Sequence, residues 1–157
     1  MISANSVNTD VSTCTSTLPA VPLSYTPTPT RLLKIQQLNK GQQTRFILNI
    51  GGTKFETSAE TISSFPDSVL SAMIAEDSPM KPYQIDGRSS YFIDRDPRHF
   101  PLILNYLRNK ARLHTDLLPR DIKQLRELQI ECNFYELTHL ERYVQKKILD
   151  LQRISLF

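Results

Sequence analysis

The chain has 157 residues, 39% apolar, 22% charged and 8% aromatic, with a formal net charge of +3; that length suits one domain with a tail and excludes two full-sized domains. Residues 1–44 hold Arg31, Lys34, Lys40 and Asp10, while the remaining 113 residues carry 16 basic and 15 acidic groups, and so neutral a body excludes a surface built for nucleic-acid phosphates. No run approaches the roughly 18 apolar residues of a membrane span, no basic and apolar leader marks a secretory signal, and Cys14 and Cys132 are too far apart for a disulfide framework.

Those absences read as a chain of the reducing cytoplasm, with the nucleus also open to it. Residues 1–30 contain twelve Ser or Thr, four Pro and one charge. Prolines favour extended backbone, and too few large apolar groups are present to offset ordering entropy, so disorder is expected here. The segment reads as a solvated leader or as a binding or phosphorylation segment, with Thr26-Pro27 and Thr28-Pro29 as sites. Residues 31–44 place Leu32, Leu33, Ile35 and Leu38 in a short, weakly helical patch ending near Gly41. Residues 1–43 are therefore set apart from the domain.

Order begins at Arg45. Phe46, Leu48 and Ile50 alternate with Ile47 and Asn49, Gly51-Gly52 follows, and Lys54 to Thr57 alternate again. Two strands around a Gly-Gly turn predict a β-hairpin. Thr57 and Glu60 have capping-box spacing, so a short helix is expected from Ser58, broken by Pro66. Asp67 or Ser68 caps another, with Val69, Leu70, Met73 and Ile74 inside. Residues 76–90 are polar and turn-rich, and Tyr91-Phe92-Ile93 reads as a short strand.

Asp96-Pro97 then marks a helix start, a side-chain cap followed by a residue whose missing N–H costs nothing there. Phe100, Ile103, Leu104 and Leu107 recur at helical spacing behind it. Asp121, after Pro119, opens a helix with Ile122, Leu125, Leu128 and Cys132 on one stripe. A last helix is expected after Asn133, with Phe134, Leu137, Leu140, Val144, Ile148 and Leu151 inward. Strands early and helices late indicate a compact α+β domain over residues 44–145, with 146–157 as a helical extension.

Several blocks resemble one family. Phe46 to Thr57 (FILNIGGTKFET) is similar to the opening hairpin of the potassium-channel tetramerisation type of BTB/POZ domain. Pro66 to Leu70 with Met73, Tyr91 to Asp96 with Phe100 and Ile103 to Arg108, and Glu131 to Leu137 resemble its later motifs, in order, over about 95 residues. The resemblance implies the BTB/POZ fold: a small sheet with an N-terminal β-hairpin and a cluster of short helices. Gly51 and Gly52 suit a turn with positive φ. Asp94, Arg95 and Asp96 alternate charge and are expected at an oligomer interface, where they would give directional pairing; Asp96 equally suits a helix cap. Phe92, Phe100, Tyr106, Phe134 and Tyr135 read as core, and His99 and His139 as helix-surface residues.

There are departures from the family pattern. Pro97 stands where the family usually has Gly, and the Lys110–Leu118 connection is slightly long. Some channel relatives bind zinc between subunits through a His and a Cys six residues later, plus a distant Cys-Cys pair. Here Arg120 follows His114 at that spacing and only Cys132 lies near the end, so no zinc and no other cofactor is expected. Four glycines, Gly41, Gly51, Gly52 and Gly87, assemble no phosphate loop or nucleophile elbow. Asp94 and Asp96 beside Arg95 are better explained structurally than as an acid/base pair. No enzyme is expected.

What remains is a binding module that self-associates as a tetramer or pentamer, with no nucleic acid or membrane as partner. The resemblance implies a KCTD-like adaptor that recruits a cullin-3 ubiquitin ligase and raises the local concentration of a substrate. Met73, Ile74, Tyr83, Leu117 and Leu118 are the candidate cullin contacts, although core burial explains Met73 and Ile74 equally well. The alternative is pure assembly with itself or related BTB proteins, including channel-type assembly or a co-repressor scaffold, without the ligase. The final helix reads either as a coiled coil or as packing on its own domain.

Overall fold

The computed structural model describes residues 28–154. The expected disorder of residues 1–30, and Thr26-Pro27 with it, falls outside that range except at Thr28 to Thr30. Thr28 leads into helix α1, Pro29–Gln43, so Pro29 and Thr30 are helical rather than disordered as expected. Pro29 occupies the first turn, where a missing N–H is tolerated. The helix runs through Gly41 rather than ending there, and Thr44 closes it by donating its hydroxyl to Lys40 O at 3.0 Å. None of its side chains is buried; Leu32, Leu33, Ile35 and Leu38 all face solvent.

The hairpin follows as expected, with β1 (Arg45–Ile50) antiparallel to β2 (Thr53–Ser58). Gly51 and Gly52 turn it with φ of 52° and 95°, a left-handed pair that side chains with a Cβ resist. Phe46, Leu48 and Ile50 point to the core, and Ile47 and Asn49 to the other face. Helix α2 (Ala59–Ser63) is capped by Ser58, whose Oγ accepts Thr61 N–H at 3.3 Å. Thr57 is not the cap: it lies opposite Phe46 in β2 and is buried. Helix α3 (Val69–Ile74) is capped by Ser68 rather than Asp67. At five and six residues these helices cannot stand alone; Ile62, Leu70 and Met73, all buried, hold them to the core.

The polar stretch 76–90 hides a second hairpin. Strands β3 (Tyr83–Ile85) and β4 (Arg88–Ile93) meet at Asp86-Gly87, whose φ values are 50° and 71°. β4 also pairs parallel to β1, which sets the order β2-β1-β4-β3. Helix α4 (Phe100–Arg108) begins later than Asp96-Pro97 predicts. Pro97 instead opens a turn closed by Phe100 N–H to Pro97 O at 3.1 Å, and His99 precedes the helix. A single 3-10 turn, Thr115–Leu117, leads to α5 (Ile122–Phe134), where Asp121 Oδ1 accepts Gln124 N–H at 3.0 Å.

Helix α5 runs on through Phe134, and the last helix, α6, spans Thr138–Ile154. Between them Leu137 N–H reaches Cys132 O and Glu136 N–H reaches Asn133 O, with Glu136 at φ 58°; this is a Schellman closure made without glycine. Leu140, Val144 and Ile148 are buried in the core that α5 shares. The apolar stripe of α6 is thus turned to its own domain, not to a coiled-coil partner. No helix among the described residues is long and apolar enough to cross a membrane.

Candidate interaction surface

All buried strand side chains of β1 point to the helices, which leaves the opposite face of the sheet without a covering element among the described residues. Ile47 and Asn49 of β1, Phe92 of β4 and Tyr83 and Ile85 of β3 share that face by register. Phe92, expected in the core, is 48% exposed there. The reason is the strand period: Tyr91 points inward, so Phe92 must point out. Between these side chains Asn49 Oδ1 and Ser90 Oγ are buried, and the Ser90 and Asn49 side chains hydrogen-bond the Tyr83 phenol and hold its pKa below the usual value. Glu56 of β2 ties the face together, with Arg45 at 3.5 Å and Arg88 at 3.3 Å. These exposed pairs contribute little stability individually.

The acidic-basic triplet sits at the end of β4. Gly51 fixes its position: Gly51 N–H donates to Ile93 O at 2.9 Å, and a Cβ on Gly51 would lie 2.4 Å from Arg95 O. Only glycine lets the hairpin tip approach so closely. Arg95 turns inward to Glu131 of α5, with Nη2–Oε1 at 2.8 Å and Nε–Oε2 at 3.2 Å. Its guanidinium also lies 4.2 Å from the centroid of the Phe134 ring, a cation–π placement. That contact accounts for Phe134, which is 40% exposed rather than core. Arg95 is therefore engaged within its own subunit before any neighbour arrives.

Asp96 also works locally. Its Oδ1 accepts Arg98 N–H at 3.0 Å and its Oδ2 accepts from Arg98 Nε at 2.8 Å. The hydrogen bonds from Arg98 hold the Asp96 carboxyl down at about 2. It caps the Pro97 turn rather than α4. Of the triplet, Asp94 is exposed and makes no ion pair or side-chain hydrogen bond among the described residues. His99 is not a plain surface residue: its Nε2 lies 3.1 Å from Glu127 Oε2, because the late start of α4 turns it toward α5. His139 is exposed.

The five candidate cullin contacts do not form one patch. Leu118 is 3% exposed and Met73 is buried too, so both serve the core and neither can reach a partner. Leu118 anchors the end of the 3-10 turn, and Met73 lies on the inward side of α3. Ile74, half-buried, lines a hollow beside Arg45, Phe46 and Tyr91, at the start of β1 and β4. Leu117, 62% exposed, lines another hollow with Arg108 to His114. Tyr83 lies on the open sheet face. Asn49 and Glu131 lie in the family-like blocks, but nothing in the sequence marked their partners, and Ser90 stood out in no motif; only the fold brings them together.

Nucleophilic and metal-binding chemistry finds little here. Among the described residues no three His, Cys, Asp or Glu side chains gather as a metal site. Burial, with Glu141 and Glu131 adding repulsion, pushes the Cys132 thiol up to about 12. Burial also raises the Tyr135 phenol, whose hydroxyl has no hydrogen-bond partner among the described residues.

Comparison with known proteins agrees with this architecture. Residues 46–144 match the BTB/POZ domain. Human BTB/POZ domain-containing protein KCTD21 is 40% identical over 106 residues, 68% of this chain and 38% of that protein. Bovine KCTD5 is 36% identical over 102 residues, 64% of this chain and 41% of that one. Bovine SH3KBP1-binding protein 1 is 40% identical over 99 residues, 62% of this chain and 13% of its own length. The chain thus spans well under half of these relatives. BTB/KCTD domains are non-enzymatic protein-interaction modules that generally self-associate. The chain belongs to the BTB/POZ family, in its potassium-channel tetramerisation, KCTD-like branch.

Proposed function

We propose that this chain assembles into a ring through its open sheet face and serves as a non-catalytic adaptor for a cullin-3 ubiquitin ligase. The uncovered face carries the assembly half of this reading. Phe92 and Tyr83 stand exposed on it, above the polar side chains of Ser90 and Asn49 that hydrogen-bond the Tyr83 phenol. A neighbouring copy laid on that face removes apolar area from water. Asp94 at the strand end adds a charge that steers the approach. Kinship with KCTD chains supports the ligase half, and the exposed Leu117 is its available apolar contact, since Tyr83 lies on the face given to assembly.

Light scattering on the full chain tests assembly first. Four or five copies of an 18.1 kDa chain give about 72 or 90 kDa, and Phe92→Asp is expected to lower that mass while the thermal melt persists. A wild-type mass of one protomer at tens of micromolar refutes the ring. Calorimetric titration with the N-terminal domain of cullin-3 then separates the two halves. A Kd below about 1 μM supports the adaptor. No heat from an assembled ring leaves pure assembly with itself or related BTB domains as the function.

A further inference from the structure

The C-terminal turn of α4 carries a second surface, away from the open sheet face. Arg108, Lys110, Arg112 and His114 line a hollow of about 530 Å³ together with Asn109 and Leu117. No acidic side chain lines it. A neighbouring groove of about 580 Å³ shares Arg108 and Lys110 and continues to Lys34 and Leu38 of α1, with Glu60 as its one acidic residue. The two hollows form a continuous track with four cations along it. In a domain body of 16 basic and 15 acidic groups, such local excess is an asymmetry of placement rather than of composition.

The track is also preorganised. Arg108 Nη2 donates to Glu56 O at 2.8 Å, which fixes the first cation against the edge strand β2. Lys110 N–H reaches Leu107 O and Ala111 N–H reaches Tyr106 O, the paired bonds of a Schellman closure. Glycine is the usual residue at its left-handed position. Here that position is Lys110, at φ 52°, and Ala111 follows at φ 64°. Two successive residues with a Cβ hold a conformation that each resists. Strain of this kind collects where a side chain's placement matters, and Lys110 in this turn lines both hollows.

We propose that this track binds an extended acidic segment of a partner protein. Carboxylates at alternate positions meet the cations, and apolar residues between them meet Leu117 and Leu38, both largely exposed at the two ends. A single-stranded nucleic acid fits less well, because no aromatic ring lines either hollow to stack a base. The proposal stands apart from ring assembly and shares only Leu117 with the proposed ligase contact.

The test uses the full chain and a fluorescein-labelled ten-residue peptide of Glu with two interspersed Leu, followed by fluorescence anisotropy. Saturable binding is expected at 50 mM salt, weakened about tenfold at 300 mM as screening shortens the reach of the cations. The double substitution Lys110→Gly with Arg112→Ser is expected to weaken binding at least about tenfold. Lys110→Gly relieves the left-handed strain, so the melting temperature of that variant holds or rises. Loss of affinity in a protein at least as stable supports the proposal. Equal affinity of wild type and variant, no anisotropy change at 200 μM protein, or tighter binding of a labelled ten-residue oligothymidylate overturns it.

Discussion

Replacing Arg95 by Met separates the structural role of this arginine from any role at an interface. Met keeps an apolar stem over Phe134 and deletes the guanidinium. Glu131 is then left with its side chain 8% exposed and no cation beside it. Removing one partner of a fully buried pair costs about 3–5 kcal/mol, whereas an exposed pair is worth about 0–1 kcal/mol. Arg95 is 27% exposed, so water screens part of the interaction and about 2 kcal/mol is expected. For a domain of this size that lowers the melting temperature by roughly 8 °C. Glu131→Gln leaves a cation that water can reach, and about 1 kcal/mol is expected from it.

Urea melts by circular dichroism at pH 7, at one fixed protomer concentration, measure the loss. A loss under about 0.5 kcal/mol refutes the argument. The same geometry makes Arg95→Glu a test of folding before assembly, since it sets two carboxylates face to face.

Two further outcomes follow from the local geometry. Gly51→Ala places a Cβ against Arg95 O and is expected to cost about 3 kcal/mol, while Gly52→Ala meets open space and costs about 1 kcal/mol from its left-handed φ alone; equal losses in paired urea melts contradict the close approach. In a Cys14→Ser background, Cys132, buried and with its thiol raised to about 12, is expected to resist iodoacetamide at pH 8 until the chain unfolds. Alkylation well ahead of the unfolding transition, read by mass spectrometry, would show that the thiol is accessible in the fold.

The sequence carried the hairpin and the core of α4 because both obey short periods. Phe46, Leu48 and Ile50 alternate, and Phe100, Ile103, Leu104 and Leu107 repeat at helical spacing, so each face follows from the residue itself. The second hairpin was legible in Asp86-Gly87, a strong turn signal, but strand β3 is only three residues long and its flanks are polar. Phe92 and Phe134 were misplaced because apolar character does not determine the face a side chain takes. Alternation with Tyr91 turns Phe92 outward, and Arg95 covers Phe134. The Arg95–Glu131 pair spans 36 positions, so no local pattern could announce it. Thr57 and Ser58 differ as caps by one residue of strand register, which depends on β1.

The proposed assembly rests on the face that the sheet leaves open among the described residues. A sheet packed on one side only can face water if its outer residues are polar, yet here Phe92, Tyr83 and the half-buried Ile47 and Ile85 occupy that side. The sheet order places Tyr83 on β3 at one edge and Glu56 on β2 at the other, and the basic track begins beside Glu56 through Arg108. Covering one surface therefore need not cover the other. In an assembled ring each copy would still offer its own track, and an acidic partner carrying several such segments would bind several tracks together. Weak single contacts then combine, because each later contact forms within one complex at an effective concentration near the millimolar range, about 1 mM for short flexible links. Affinity would rise with ring size, and a monomeric variant with an intact track would bind the single peptide normally but lose that gain.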